Sequence, residues 1–111
     1  MADVYKRLGA VVAAATTNTE LYVVPGAGVS AVLSSINVCN RNNTTINFRI
    51  AHIDGGIGSL ANEDYIYYNV PAEAYDTIEI TRGITMATGD TLMVYSDTAN
   101  VNFMVWGSEV S

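Results

Sequence analysis

Val29-Ser30-Ala31-Val32-Leu33-Ser34-Ser35-Ile36-Asn37-Val38-Cys39, Asn40-Arg41-Asn42-Asn43-Thr44 and Thr45-Ile46-Asn47-Phe48-Arg49-Ile50-Ala51-His52-Ile53 follow one another through the middle of the chain. The third segment alternates cleanly, with Ile46, Phe48 and Ile50 on one side and Thr45, Asn47 and Arg49 on the other. Successive strand side chains point to opposite faces, so this pattern is that of a half-buried strand. The first segment is rich in β-branched residues and puts Val32, Ile36 and Val38 on one face, with the small Ser34 between them. Asparagine tolerates left-handed backbone angles, so the Asn-rich middle segment suits a chain reversal. Together the three read as a β-hairpin.

The same beat continues on both sides. Val4 to Val12 is extended, and Leu21 to Val24 is stopped by Pro25-Gly26-Ala27-Gly28. Downstream, Asp54-Gly55-Gly56-Ile57-Gly58 is the least structurally committed stretch and leads into Tyr65 to Val70, which Pro71 is expected to close. Ile78 and Ile80 share a face between Thr77 and Thr81, Arg82-Gly83 reads as a turn, and Ile84-Thr85-Met86 follows. Thr88-Gly89-Asp90 marks another turn before the strand carrying Leu92 and Val94. Val101, Phe103 and Val105 face one way in the last strand, opposite Asn102, Met104 and Trp106. Gly9 to Ala15 is rich in alanine but has no polar face at helical spacing, so it is not read as a helix. About eight short strands separated by turn residues predict an all-β fold, a single antiparallel β-sandwich spanning residues 1–111. Jelly-roll and immunoglobulin-like strand orders both stay open. Residues 1–12 are either the first strand or an N-terminal arm that docks on a neighbour through Tyr5 and Leu8. Phe48 and Phe103 are expected to anchor the core.

Composition narrows the function. Eleven Asp and Glu against five Lys and Arg give a formal net charge of −6. Binding to a phosphate backbone depends on clustered positive charge, and Arg7, Arg41, Arg49 and Arg82 are scattered, so neither nucleic acid nor an anionic membrane is an expected partner. Charged residues make up only 14% of the chain, and such depletion is typical of surfaces that other subunits cover. No apolar run approaches the roughly 20 residues of a membrane helix, and the start lacks the form of a signal peptide. Synthesis and folding in a cytoplasm are therefore expected. Cys39 is the one cysteine, which leaves it no internal disulfide partner and suits a small buried side chain.

No set of residues suggests catalysis. A hydrolytic triad needs a base, and His52 is the single histidine. It continues the inward face of Ile46, Phe48 and Ile50, which suggests a strand-end residue with one edge in water. His52 and Asp54 share a strand side but lack a third metal ligand. Asp54, Glu63 and Asp64 form no EF-hand loop, and Gly26-Ala27-Gly28 lacks the rest of a dinucleotide fingerprint. No cofactor or metal is expected. The unusual cluster is Tyr65-Ile66-Tyr67-Tyr68. Tyr65 and Tyr67 should share one strand face, and Ile66 and Tyr68 the other. Tyrosine combines an apolar ring with a polar tip, so the exposed set suits subunit contact, sheet-face packing or sugar stacking.

Several segments, in order, resemble a family of small tailed-bacteriophage virion proteins common in phages of cyanobacteria. They are Tyr5-Lys6-Arg7-Leu8-Gly9, Thr17-Asn18-Thr19-Glu20-Leu21-Tyr22-Val23-Val24-Pro25 and Ser34-Ser35-Ile36-Asn37-Val38-Cys39-Asn40-Arg41. Phe48-Arg49-Ile50-Ala51, Tyr65-Ile66-Tyr67-Tyr68, Gly83-Ile84-Thr85 and the terminal Gly107-Ser108-Glu109-Val110-Ser111 complete the match. The glycine-rich 54–58 loop departs from the family, where a less glycine-rich turn is expected. The resemblance implies a structural part of a virion, assembled in the host cytoplasm, with no catalytic residues to transfer. The expected role is a capsid decoration or cement protein bound to the major capsid protein or another virion protein. It would act as a homo-oligomer, with a trimer expected at three-fold positions. A tail, baseplate or fibre component touching the host is the alternative. The expected contact residues are Tyr5, Leu8, Tyr65, Tyr67, Gly55, Gly56 and Ile57.

Overall fold

β-branched and aromatic residues at alternating positions leave the chain little choice but extended structure, and in a computed structural model nine strands account for most of the described residues. Residues 3–26 and 28–110 are described, the side chains of residues 3–5 excepted. The strands are β1 (Asp3–Ala13), β2 (Thr19–Val23), β3 (Ser30–Asn40), β4 (Ile46–Ile53), β5 (Tyr65–Ala72), β6 (Thr77–Ile80), β7 (Ile84–Met86), β8 (Thr91–Ser96) and β9 (Val101–Val110). Of the 1–12 segment, residues 3–12 therefore lie in a first strand rather than a free arm, and residues 1–2 lie outside the described residues: β1 pairs with β9 from Asp3↔Val110 to Ala13↔Val101. The backbone of Tyr5 lies in this strand, opposite Ser108.

Two antiparallel sheets result. Sheet A has the order β1-β9-β3, with β6 and β7 both lying along the far edge of β3. Sheet B has the order β2-β8-β4-β5. The sheets bury their facing sides against each other, as a β-sandwich does. Phe48, Ile46, Ile50, Leu92 and Val94 come from sheet B and Leu33, Ile36, Val38, Val101, Phe103 and Val105 from sheet A, all buried in one cluster. Phe48 and Phe103 meet edge to face across it, 6.4 Å between centroids at 67°, as their place at the centre of the core predicted.

Five expectations about local structure are corrected. First, β3 and β4 do not form a hairpin, since β3 pairs within sheet A and β4 within sheet B. The Asn-rich segment carries the chain from one sheet to the other. Its anchor is Asn40, a buried polar residue at 1% exposure. The Asn40 amide nitrogen donates to the carbonyls of Thr44 at 2.9 Å, Ala72 at 3.1 Å and Glu73 at 3.0 Å. Its amide oxygen accepts from the backbone and side-chain nitrogens of Asn42, and Asn42 reaches on to the carbonyl of Ala99. One buried amide thus ties the β3–β4 and β5–β6 crossings together, and through Asn42 the β8–β9 crossing.

Second, Val32 is on the outside, 41% exposed, while Leu33 is fully buried. Pairing with β9 shifts between Leu33↔Gly107 and Ser35↔Trp106, leaving Ser34 as the extra residue of a bulge. The bulge turns Ala31 and Leu33 inward on one side of it and Ile36 and Val38 inward on the other. β1 bulges opposite the same part of β9, with Leu8 the extra residue. Gly107 lies between the two bulges, where an added Cβ would overlap the Val32 carbonyl oxygen and crowd Leu33 Cα and Leu8 Cδ1. Only glycine fits that approach.

Third, Pro71 does not end β5; it pairs with Asn47 and the strand runs on to Ala72. β5 is the edge of sheet B, where a missing N–H costs no ladder bond. Fourth, Arg82-Gly83 does not reverse the chain. β6 and β7 both run antiparallel to β3, with Ile36↔Ile80 and Leu33↔Ile84 one residue out of step. They behave as a single edge strand interrupted at 81–83.

Fifth, Tyr65 and Tyr67 do not share a face. Pairing with β4 passes from Phe48↔Val70 to Ile50↔Tyr67 to Ala51↔Tyr65, and β5 contributes one extra residue at each step. Asn69 takes the first irregularity in the left-handed region, at φ 52. Ile66 and Tyr67 consequently pack on the inter-sheet core, whereas Tyr65 packs on the outside of sheet B.

Replacing Asn40 with Ala leaves buried carbonyls without donors and should cost about 2–4 kcal/mol in denaturant unfolding. Asn40→Asp should cost more at neutral pH, because a carboxylate only accepts, and should recover partly in acid as protonation restores one donor. Gly107→Ala should lose about 1–3 kcal/mol by overpacking against backbone. Gly56→Ala, with nothing within 4 Å of the new Cβ, should leave the unfolding midpoint nearly unchanged.

Candidate functional site

The two outer faces of the sandwich differ, and the difference starts in the sequence. Between β4 and β5 the chain makes two short 3-10 turns, Ile57–Ser59 and Asn62–Asp64. The apolar residues of this segment, Ile57 and Leu60, pack on Ala51, Ile53 and Met93, which face outward from sheet B, with Tyr65 and Tyr95 beside them. The 54–58 loop is therefore one end of a segment folded onto sheet B. Gly55 adopts φ 109, and its carbonyl accepts the Thr91 hydroxyl at 2.8 Å. Gly56 is exposed, and Ile57 is half-buried against the sheet.

Next to that cap lies an aromatic–cation stack. Arg49 and Tyr95 are directly opposite on β4 and β8. The Arg49 guanidinium carbon sits 4.3 Å from the ring centroids of both Tyr68 and Tyr95. Its Nε donates to Asn69 Oδ1 at 2.7 Å, and Tyr68 meets Tyr65 edge on at 4.9 Å. Each such cation–π contact is worth about 0.5–1 kcal/mol at a partly exposed site. The bulge at Asn69 places Tyr68 on this side of β5. Among the described residues, Tyr68 and Tyr75 are the exposed tyrosines, at 57% and 72%, while the expected contact residue Tyr67 is turned inward beside Phe48, 6.4 Å between centroids.

The outer face of sheet A carries no comparable cover among the described residues. Asn102, Met104, Trp106 and Ser108 of β9, Ser35, Asn37 and Cys39 of β3, and Ala10 and Val12 of β1 alternate with core positions and carry no charge. Arg7, Arg41 and Glu79 stand at its margins. Val12 is 52% exposed, and a shallow hollow of about 230 Å³ opens beside it between β1 and β9. Leu8 is half-buried against the core rather than on this face.

The sheets are also joined by polar contacts. On the β1–β2 side, the Tyr22 hydroxyl donates to Glu109 Oε2 at 2.6 Å, and Lys6 Nζ lies 3.4 Å from Glu109 Oε1. Burial, then the hydrogen bond and charge of Glu109, push the Tyr22 phenol well above its ordinary value. At the end of the sandwich away from Asn40, His52 lies inside the mouth as its alternation implied, with Nε2 2.8 Å from Asp90 Oδ2. Asp90 is 7% exposed and also accepts the backbone N–H of Ala87 at 3.0 Å. Burial alone would raise its pKa. The His52 and Ala87 hydrogen bonds, the charge of His52 and a backbone contact from Gly55 outweigh it, so the carboxyl ends below its usual 3.8.

In front of His52 is a cleft of about 400 Å³ between the β5 edge of sheet B and the interrupted edge of sheet A. Glu63, Asp64, Tyr65 and Arg82 line it with His52. Among the described residues, no three His, Cys, Asp or Glu side chains gather to hold a metal ion.

The expected contact residues thus fall into separate places. Tyr5 and Leu8 belong to β1, although the side chain of Tyr5 lies outside the described residues. Gly55, Gly56, Ile57 and Tyr65 belong to the cap on sheet B, and Tyr67 belongs to the core. The Arg49 stack and the His52–Asp90 pair were not anticipated. The outward position of Arg49 was readable, but its ring partners depend on the β4–β8 register and on the β5 bulges. No family model matches this sequence, and no curated protein matches it.

Asp90 has a lowered pKa, so its ionised form stabilises the fold above the unfolded value, and that contribution is lost as pH falls through the folded value. Asp90→Asn should therefore cost about 1–3 kcal/mol at pH 7. In denaturation series against pH, the gap between wild type and variant should close below 3.8.

Proposed function

We propose that this chain is a structural protein of a tailed-bacteriophage particle: a decoration or cement protein that binds the outside of the head shell and stabilises it. The observation that carries this reading is the contrast between the outer faces. Sheet B is covered by the chain's own 54–64 segment and the Arg49 stack. Among the described residues, sheet A presents an outer face that is uncharged through its middle, with exposed Val12 and Val32, and carries Arg7, Arg41 and Glu79 only at its margins. Interface cores are depleted in charge in the same way. The end-to-end resemblance to small virion proteins supports the reading independently.

The strand order supports a jelly roll. With β6 and β7 counted as one interrupted strand, eight strands divide into two sheets of four, and the chain changes sheet at every connection but β4–β5. The last strand lies between the first and third, and the next-to-last between the second and fourth. A double Greek key would interleave its strands in this way, and that architecture recurs in viral capsid and lectin domains. Fold alone assigns no function, but this one supplies a rigid two-faced tile.

In the proposed role, the sheet A face meets the major capsid protein or another virion protein. Copies of the chain associate as a symmetric oligomer, a trimer at three-fold positions of the shell. Binding to the assembled shell and not to free subunits shifts the balance toward the assembled state by mass action. The role requires no catalysis, cofactor, nucleic acid or membrane. Tail, baseplate or fibre placement is the second reading, favoured by the exposed rings of Tyr68 and Tyr75.

Val12→Glu and Met104→Glu each place a charge on the sheet A face without touching the core. Both variants should unfold like wild type yet fail to add back to particles stripped of this protein, and those particles should release DNA at a lower temperature. Particles that lack the protein and resist heat and osmotic shock as well as wild type would contradict the cement role.

A further inference from the structure

The cleft at the His52 end has no part in the proposed docking face, and its chemistry is specific. At about 400 Å³ it falls at the small end of the range that holds small molecules. Two carboxylates, Glu63 and Asp64, one guanidinium, Arg82, a phenol, Tyr65, and an imidazole, His52, converge on it.

Each wall is held by a different part of the fold. His52 is fixed by its 2.8 Å contact with buried Asp90, so Nδ1 is its remaining ring nitrogen. Asp64 accepts the Ala61 N–H at 2.9 Å, which pins the Asn62–Asp64 turn as one rim. Arg82 occupies the interruption between β6 and β7, its guanidinium 6.0 Å from the Tyr67 ring. The departures from the regular strand pattern, namely the 62–64 turn and the 81–83 interruption, meet at this mouth.

The charges limit what can bind. Two carboxylates in the lining, with Asp90 behind them, disfavour an anion, and Arg82 offsets part of their pull on a cation. A neutral group that both donates and accepts satisfies every side chain present. A sugar hydroxyl does so, giving one donor and two acceptor lone pairs. We propose that this cleft binds a neutral carbohydrate of one or two rings, with Glu63 and Asp64 accepting from its hydroxyls and Arg82 donating to them. The proposal goes beyond the virion role and holds wherever on a particle the chain sits.

The test is a titration of the 15N-labelled full chain with glucose, galactose and N-acetylglucosamine, followed by amide chemical shifts, with inorganic phosphate as a further arm. At least one sugar should give saturable shifts confined to residues around His52, Glu63–Tyr65 and Arg82–Ile84. A dissociation constant near 1 mM is expected for a shallow, wet site. Glu63→Gln and Arg82→Ala alter exposed side chains, so both should keep the wild-type spectrum elsewhere while weakening that sugar about tenfold or more. No saturable shift with any of the three sugars would overturn the proposal. So would saturation by phosphate with the sugars silent, or sugar binding that both substitutions leave unchanged.

Discussion

The buried amide of Asn40 is the constraint on which the sandwich depends. Apart from β4–β5 and β6–β7, consecutive strands lie in different sheets, so the chain must cross the gap repeatedly. Each crossing exposes backbone carbonyls that have no ladder partner, and an unpaired buried polar group is expensive. Asn40 answers several of these needs with one side chain, donating to three carbonyls and accepting from Asn42. Three neighbouring crossings use residues with positive φ, Thr16, Tyr75 and Asn100, a conformation that asparagine tolerates but that is costly for Thr16 and Tyr75. The strain is borne where the polar network holds the ends of the sheets in place. At the far end the His52–Asp90 contact does similar work. Hydrophobic burial fills the middle, and polar contacts fix which strands face which.

That division explains what could be read from sequence. Alternation is local, so the inward faces of β4 and β9 were legible, as were the place of Phe48 and Phe103 and the position of His52. Turn signals are also local, but they mark only that the chain bends. Asn40-Arg41-Asn42-Asn43-Thr44 looks the same whether the strand returns beside itself or crosses to the other sheet; the decision rests on carbonyls more than thirty residues away. Bulges defeated the rest. Ser34, Leu8 and the β5 irregularities each shift a face by one residue, and each was set by a neighbouring strand's register. The tyrosine cluster shows the cost most plainly: period-two reasoning grouped Tyr65 with Tyr67, whereas the bulges bury Tyr67 and send Tyr65 and Tyr68 outward. Asp90 was out of reach as a partner for His52 because 38 positions separate them.

The functional account follows from the same asymmetry. A sandwich has two outer faces, and this chain spends its longest connection on covering one of them. Arg49, Tyr68 and Tyr95 extend that cover with contacts that keep a cation out of solvent without burying it. Through its middle the other face is left with neutral side chains, Met104 and Trp106 among them, and a shallow hollow beside Val12. Such a surface is tolerable on a protein with net charge −6 if a neighbour covers it, and a regular lattice supplies neighbours in fixed places. The polar cleft lies at one end, between sheet edges, so the proposed sugar binding there would not compete with the proposed docking through sheet A.

A cryo-EM map of the intact particle tests the central claim most directly. The account predicts density for this chain on the exterior of the head, repeated with the symmetry of the shell, with Val12, Met104 and Trp106 against a neighbouring subunit and the 54–64 segment toward solvent. Density confined to the tail or baseplate, or a head-bound copy seated through the sheet B face, would contradict it.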